Sequence, residues 1–356
     1  MLSNRLKGLS SFHYTELCSN NPENLVRSIP ERWLDSSVSS HVLDMQLIRN
    51  ACTESYRYST ELPPAFRTEM HFARRHVYRL KDVMVHPSTG ACSAGGKFFQ
   101  ESYGSLRRCL LEKPFPSSGS MLHLRGPATC VHVTGFYHFL LEEVPRLLWT
   151  LERFPDVKVC LADSAPKFYR DILDLVVERG ITNDYETIKS DSLVKMDEYV
   201  FTQAEAYSGF VHSSDIRKLR ETFMPHCGSV SENRGKIYIS RRHSARAFDN
   251  EAEFEETITE LGYQVVRLEQ MIFADQMSLL QKSDTIVAPH GAGLANLLWC
   301  NPETNVVEIF SPRYTNDCYA RLCSSLELNY VALWATDSIG WGYLNIDQII
   351  YALNEL

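Results

Sequence analysis

Apolar positions along the 356-residue chain alternate between a strand period and a helix period, and the second half shows this most cleanly. Residues 236–240 (KIYIS) and 263–267 read as strands. Between them, Asn250 is placed as the N-cap of a helix over 251–261, and Gly262 fits its stop. A helix follows over 274–282. Residues 285–288 form a short β-branched run, the sign of a buried strand. Pro289, His290 and Gly291 break that run, and 294–299 read as the first turns of a helix. Further strands are predicted at 305–310 and 330–334, with helices at 317–326 and 345–356.

The first half is less regular. Residues His76–Val85, a glycine-rich turn (STGACSAGG) and an extended run over 97–103 read as a β-meander. A loop (KPFPSSGS) precedes a short strand at 121–125. Leu140, Leu141, Val144, Leu147, Leu148 and Leu151 repeat at helical spacing and mark a helix over 137–154. Strands at 157–162 and 199–202 and helices at 166–180 and 214–223 follow. Residues 1–60 have weak periodicity and are read as short helices and loops.

This alternation predicts the α/β class, with two Rossmann-like domains facing a cleft. The expected divisions are an N-terminal β-rich or irregular extension over 1–75, a Rossmann-like domain over 76–228 and a C-terminal Rossmann-like domain over 229–356. The last helix is free to pack back on the N-terminal domain. The linker is placed at HCGSVSENRG, from His226. Composition alters this little. A net charge of −8 argues against a broad nucleic-acid surface or a polybasic membrane patch. No apolar run is long enough to span a bilayer, and residues 1–30 lack the layout of a signal peptide. The ten cysteines include no CxxC pair and are read as reduced thiols, mostly in the core.

Three stretches carry candidate chemistry. Gly291-Ala292-Gly293 is a small-residue turn between a strand and a helix start, where backbone N–H groups and the positive dipole end suit a diphosphate. A purely structural turn fits it equally. Arg241, Arg242, His243 and Arg246 follow a strand, and guanidinium forks match phosphate oxygens. A solvated basic loop is the alternative. His138 and Glu142, four apart, share one helical face, and a carboxylate-backed histidine can act as a general base. A helix-surface pair is the plainer alternative. Glu143, one position on, is read as structural or solvated. No zinc-binding spacing occurs, and no Asp-x-Asp holds a metal-bound diphosphate.

Together these stretches resemble glycosyltransferase family 61. FYHFLLEEVPRL is similar to its YxHxxxExxPR motif, YISRRHSARAFDNE to its SR…R…NE motif, and the segment holding PHGAGLAN to its most characteristic one. The resemblance covers roughly residues 76–335 and implies a GT-B fold. It also implies inverting transfer of a sugar, such as xylose or N-acetylglucosamine, from a UDP-sugar to a glycan or other hydroxyl acceptor. Arg241, Arg246, His290, Gly291, Ala292, Gly293 and Asn296 become donor-site candidates, with Glu308 near the ribose or the base. His138 and Glu142 become the catalytic candidates. The UDP-sugar is a co-substrate, and neither cofactor nor metal is expected. A role in cell-surface polysaccharide synthesis follows from the bacterial members. The chain is placed in the cytoplasm or peripheral to the inner membrane, or in the secretory-pathway lumen if an N-terminal anchor has been removed. Two rival readings stand beside this one: a nucleotide-sugar epimerase or hydrolase, and an inactive nucleotide- or glycan-binding homologue.

Overall fold

A computed structural model describes residues 11–12, 25–30, 76–94, 97–99, 121–202, 209, 211–224 and 235–356. Expectations for the rest of 1–75, for 100–103, for the 113–120 loop and for a linker over 226–234 lie outside the described residues. The described chain divides into two compact units, the first ending at 208 and the second beginning at 209.

The first unit is built on one sheet. Its strands are β1 (Ser11–Phe12), β2 (Leu25–Pro30), β3 (His76–Val85), β4 (Cys92–Ala94), β5 (Lys97–Phe99) and β6 (Met121–Val131). A helix, α1, then starts at Phe136–His138, passes through a π turn at Phe139–Glu143 and continues as Val144–Arg153. β7 (Lys158–Ala162), α2 (Lys167–Glu178), β8 (Tyr185–Ile188) and β9 (Leu193–Thr202) complete the unit. The sheet order is β1-β5-β4-β3-β9-β6-β7-β8, with β2 paired to β3. The run β9-β6-β7-β8 is parallel, as is the two-residue β1–β5 pairing at the far edge. β2, β3 and β4 add antiparallel neighbours through the β3–β9 pairing, so the sheet is mixed. The reason is connection length. The turns after β3 and β4 are too short for a parallel crossover, and such turns force antiparallel pairing. The expected parallel Rossmann-like sheet is therefore only part of this one.

The π turn was not expected either. The N–H of Val144 bonds to the carbonyl of Phe139, five residues back. Pro145 follows directly. It has no N–H to offer residue 141, and its ring crowds that carbonyl, so an extra residue enters the turn there. The leucine stripe survives, and Leu140, Leu141, Leu147, Leu148 and Leu151 are buried.

The second unit opens with α3 (Ser213–Phe223). It continues through β10 (Gly235–Ile239), α4 (Glu251–Glu260), β11 (Gln264–Val266), α5 (Phe273–Gln281) and β12 (Ser283–Pro289). A 3₁₀ helix (Ala292–Trp299), β13 (Asn305–Phe310), α6 (Cys318–Ser325), β14 (Asn329–Trp334) and α7 (Ile346–Asn354) follow. All five strands are parallel, in the order β11-β10-β12-β13-β14. Their β-branched residues are buried on both faces, as a helix-covered parallel sheet requires. Phe223 of α3 meets the buried Trp299 edge-to-face at 6.0 Å, and Phe273 meets it at 5.8 Å. Arg220 of α3 caps the 3₁₀ helix through the carbonyls of Leu298 (2.6 Å) and Cys300 (2.9 Å). α3 thus packs in the second unit, although the sequence places the linker after it. Ile349 of α7 is buried in one cluster with Tyr238, Phe254 and Val307, so the last helix covers its own unit's core.

Among the described residues, six cysteines are buried free thiols, and no helix is long and apolar enough to cross a membrane.

Candidate functional site

Numbered by their position in the chain, the strands of the second sheet run 2-1-3-4-5, so the connections leave β10 and β12 in opposite directions. In open α/β sheets, the crevice outside the carboxyl ends of such a strand pair is where ligands bind. Arg241 follows β10 there, and His290 and Gly291 follow β12. Two sequence candidates 49 positions apart thus meet directly, because Arg241 Nη1 donates to the carbonyl of His290.

The loop that carries the arginines is held by a buried carboxylate. Glu251 accepts from the Arg241 N–H (2.5 Å), from Tyr238 Oη (2.9 Å) and from the Phe248 N–H (3.2 Å). Asn250 makes no helix-cap bond with its side chain, contrary to expectation. Its amide instead pairs with Leu344, donating to the carbonyl (3.0 Å) and accepting from the N–H (2.7 Å). Glu255 binds Arg267 at 2.8 Å and Arg242 at 3.3 Å. Arg241 and Arg246 are different. Among the described residues neither has a carboxylate partner, and Arg246 lies over the Trp341 ring at 5.5 Å. Burial, and then the charge of Arg246, push the Arg241 guanidinium below its usual range. Two cations without a carboxylate in ion-pair contact among the described residues therefore share this corner, and the charge of Glu251 only partly offsets the repulsion that Arg241 feels.

The glycine turn differs from expectation. Gly291 has φ 174°, which is extended backbone open to any residue. What demands a glycine is the Arg241 guanidinium lying against it: a Cβ there would stand 2.4 Å from Nη1. At Gly293 a Cβ would meet Leu268 and Ile239 at 3.5 and 3.6 Å, which is ordinary contact. The helix that follows is 3₁₀ rather than α, and its first turn has no side-chain cap. Ala292 is exposed at its start.

Two candidates lie behind the surface. Asn296 is fully buried, and its amide is spent on Gln276 Oε1 (2.9 Å), the Gly293 carbonyl (3.2 Å) and Trp299 Nε1 (3.1 Å). It braces the turn and cannot reach a ligand. Glu308 is also fully buried, so a contact with ribose or base is closed to it. Its carboxylate takes His290 Nδ1 and Tyr330 Oη, each at 2.5 Å. His290 stacks on Phe310, with ring centroids 5.2 Å apart, and Tyr319 Oη holds the Gly291 carbonyl at 2.7 Å.

In the first unit the parallel run has the corresponding crevice between the carboxyl ends of β6 and β9. His138 Nδ1 and Glu142 Oε2 are 3.0 Å apart and half-buried, so the pair forms despite the π turn. Of the two readings given for Glu143, structural or solvated, the structural one holds. Glu143 is buried between Arg146 Nη1 (3.0 Å) and His132 Nδ1 (3.1 Å). Burial opposes its charge, but Arg146 and His132 outweigh that and hold its carboxyl at about 2. Arg146 Nε also donates to the Thr202 carbonyl at the end of β9 (2.6 Å). Together these groups line a small cavity at the crevice. Below it, Gly90, with φ 66°, lies so close that a Cβ would fall 1.8 Å from His132 Nε2. Tyr169 Oη, pushed up to about 12 by burial, pins the carbonyls of His132 (2.9 Å) and Thr134 (3.1 Å). Reasoning from sequence missed His132, Gly90 and Tyr169. Arg146 was visible in the proline–arginine pair of its motif, and His132 only as a polar residue closing an apolar strand.

Among the described residues, no group of three or more His, Cys, Asp and Glu could hold a metal ion.

Residues 136–307, just under half of the chain, match the model of the family described as Glycosyltransferase 61. That range takes in the first two stretches on which the resemblance rests and all but the last three residues of the third, and over it the chain is similar to glycosyltransferase family 61. A curated relative is beta-1,2-xylosyltransferase RCN11 of Oryza sativa subsp. japonica, 27% identical over 86 residues. The aligned stretch is 24% of this chain and 15% of the rice protein's length.

Proposed function

We propose that this chain is an inverting glycosyltransferase of the GT-B class that moves a sugar from a UDP-sugar to a hydroxyl acceptor, without a metal. The observation that carries the reading is the pair of arginines, Arg241 and Arg246, left without carboxylate partners at the switch point of the parallel sheet. An anion between them would relieve their mutual repulsion. A diphosphate fits, because guanidinium forks and an uncapped helix start both bind phosphate oxygens. Xylose is a natural first sugar to test, since the rice relative is described as a xylosyltransferase.

The chemistry needs one base. With Glu142 accepting from Nδ1–H, the proton-accepting nitrogen of His138 is Nε2. As the acceptor oxygen bonds to the anomeric carbon, its proton passes to this base. The bond from that carbon to the diphosphate breaks, and the diphosphate leaves with the electron pair toward Arg241 and Arg246. One in-line displacement inverts the centre with no covalent enzyme intermediate.

Calorimetric titration with UDP, UDP-xylose and UDP-N-acetylglucosamine tests the donor site, and product analysis on glycan acceptors tests transfer. Transfer that survives EDTA is expected. Complete loss with EDTA, restored by Mn²⁺, would refute metal independence. Free sugar released without any acceptor product would favour a hydrolase instead.

A further inference from the structure

His290 and Glu308 form a buried pair that the donor reading does not explain. Glu308 is fully buried on β13, and burying a lone carboxylate is costly unless a partner supplies charge and hydrogen bonds. Its neighbours supply little charge. Tyr330, on β14, donates a hydrogen bond, but burial and Glu308 push its hydroxyl well above the ordinary range, so it stays neutral. Cys318 and Cys323, on α6, are pushed up by burial and by Glu308 in the same way. Asp317, at the head of α6, is already paired with Arg321 at 3.0 Å. The group that can carry a balancing charge in direct contact is His290, through Nδ1 at 2.5 Å.

The ring's surroundings fix how it is used. It is held between Phe310, Tyr314 and Tyr319, with centroids 5.2, 5.2 and 5.4 Å away. Nδ1 is turned inward to Glu308, and among the described residues Nε2 makes no hydrogen bond. The carbonyl of the same residue receives the Arg241 guanidinium. A neutral ring with its proton on Nδ1 offers only an acceptor at Nε2, and an imidazolium offers a donor. Opposite a phosphate only the donor is useful.

Resting on the donor reading above, we propose that Glu308 is a positioning residue that presents His290 to the diphosphate as an imidazolium beside Arg241, so that donor binding takes up a proton. When the dianionic diphosphate arrives, one proton from solvent moves onto Nε2. The ring, now cationic, bonds the phosphate through Nε2–H and Glu308 through Nδ1–H.

The test is calorimetric titration with UDP-xylose in buffers of different ionisation enthalpy, because the diphosphate of a nucleotide sugar does not itself titrate near neutrality. Proton uptake is expected to grow toward a limit of about one proton as the pH is raised from about 6 to about 9, the range around a histidine. His290→Asn should bind more weakly and take up no proton. Glu308→Gln should lower the uptake, and Tyr330→Phe should keep it. The two substitutions remove partners in one buried cluster, so a merely structural role would not separate their proton counts. If the wild-type protein binds UDP-xylose with no proton exchange across this range, the proposal is overturned and the donor site stands. If neither UDP nor any UDP-sugar binds, both fall.

Discussion

Gly291→Ala tests the geometry of the donor corner most directly. The φ of 174° tolerates any side chain, so the backbone pays nothing. The new methyl would stand 2.4 Å from Arg241 Nη1 and 2.8 Å from Cζ. Ordinary contact lies near 3.5–4.0 Å, so the guanidinium has to retreat by about 1 Å. That breaks its bond to the His290 carbonyl and turns the fork away from the crevice. A charge-assisted hydrogen bond is worth about 1.5–3 kcal/mol, so UDP should bind about 10- to 150-fold more weakly. Calorimetric titration reads this, with thermal unfolding as a check that the fold is intact. Gly293→Ala is the control, and its methyl enters ordinary contact and should leave affinity near wild type. Because the effect passes through Arg241, Gly291→Ala should add little in an Arg241→Ala background. Unchanged UDP affinity in Gly291→Ala, or full additivity with Arg241→Ala, would refute the reasoning.

Arg241→Ala should itself cost about 1.5–3 kcal/mol of UDP binding, with lysine restoring part of it, and equal affinity for all three proteins would reduce the arginine to a surface charge. His138→Ala should lower kcat by about 10²- to 10⁴-fold with donor affinity little changed, and Glu142→Gln should lower it less if Glu142 only orients the ring. If both keep full kcat, the base is elsewhere. Glu143→Ala should destabilise the first unit by about 3–5 kcal/mol, since it removes the buried member of the cluster and leaves the partly buried Arg146 without its counter-ion. The carboxyl of Glu143 is depressed on folding, so its stabilisation is present at neutral pH and lost as the pH falls from about 4.5 through about 2. Acid unfolding followed by circular dichroism should show this loss in the wild type and not in Glu143→Gln.

The second unit was largely legible because its signals are local. Each strand is a short apolar run, each helix carries its own stripe, and short connections turn that rhythm into a parallel sheet. Once the sheet exists, the ends of β10 and β12 are neighbours by topology, and Arg241 and His290 meet without any further information. The purposes of Asn296 and Glu308 were not local. Asn296 reads as a polar residue at a ligand-facing turn, and Glu308, inside a predicted strand, was placed at the ligand only by the family resemblance. Whether a side chain faces out or in depends on partners such as Gln276 and Tyr330, which lie 20 and 22 positions away. Gly291 shows the same limit. Its small size was readable, but the arginine that requires it comes from another strand.

The first unit was less legible for a related reason. Its helix stripe was clear, and the four-residue spacing of His138 and Glu142 did bring them together. An unbroken α-helix turns about 100° per residue, so Glu143 was expected on another face, structural or solvated, with its partners not readable. The π turn alters that geometry at the position where the choice matters. It ends at Glu143 itself, with Pro145 two residues on, and the carboxylate enters the sheet crevice to meet His132 and Arg146. A proline inside an apolar stripe is a readable sign that the i→i−4 ladder fails one turn earlier, and two adjacent carboxylates on that turn are a sign that one of them is to be buried. Taken together, these signs divide the labour. Glu142 keeps the half-exposed histidine oriented, and Glu143 balances the buried charge that fixes α1 against the ends of β6 and β9. The His138–Glu142 pair thus depends on the neighbouring ion cluster of Glu143, Arg146 and His132, and Glu143→Ala is a probe of the scaffold.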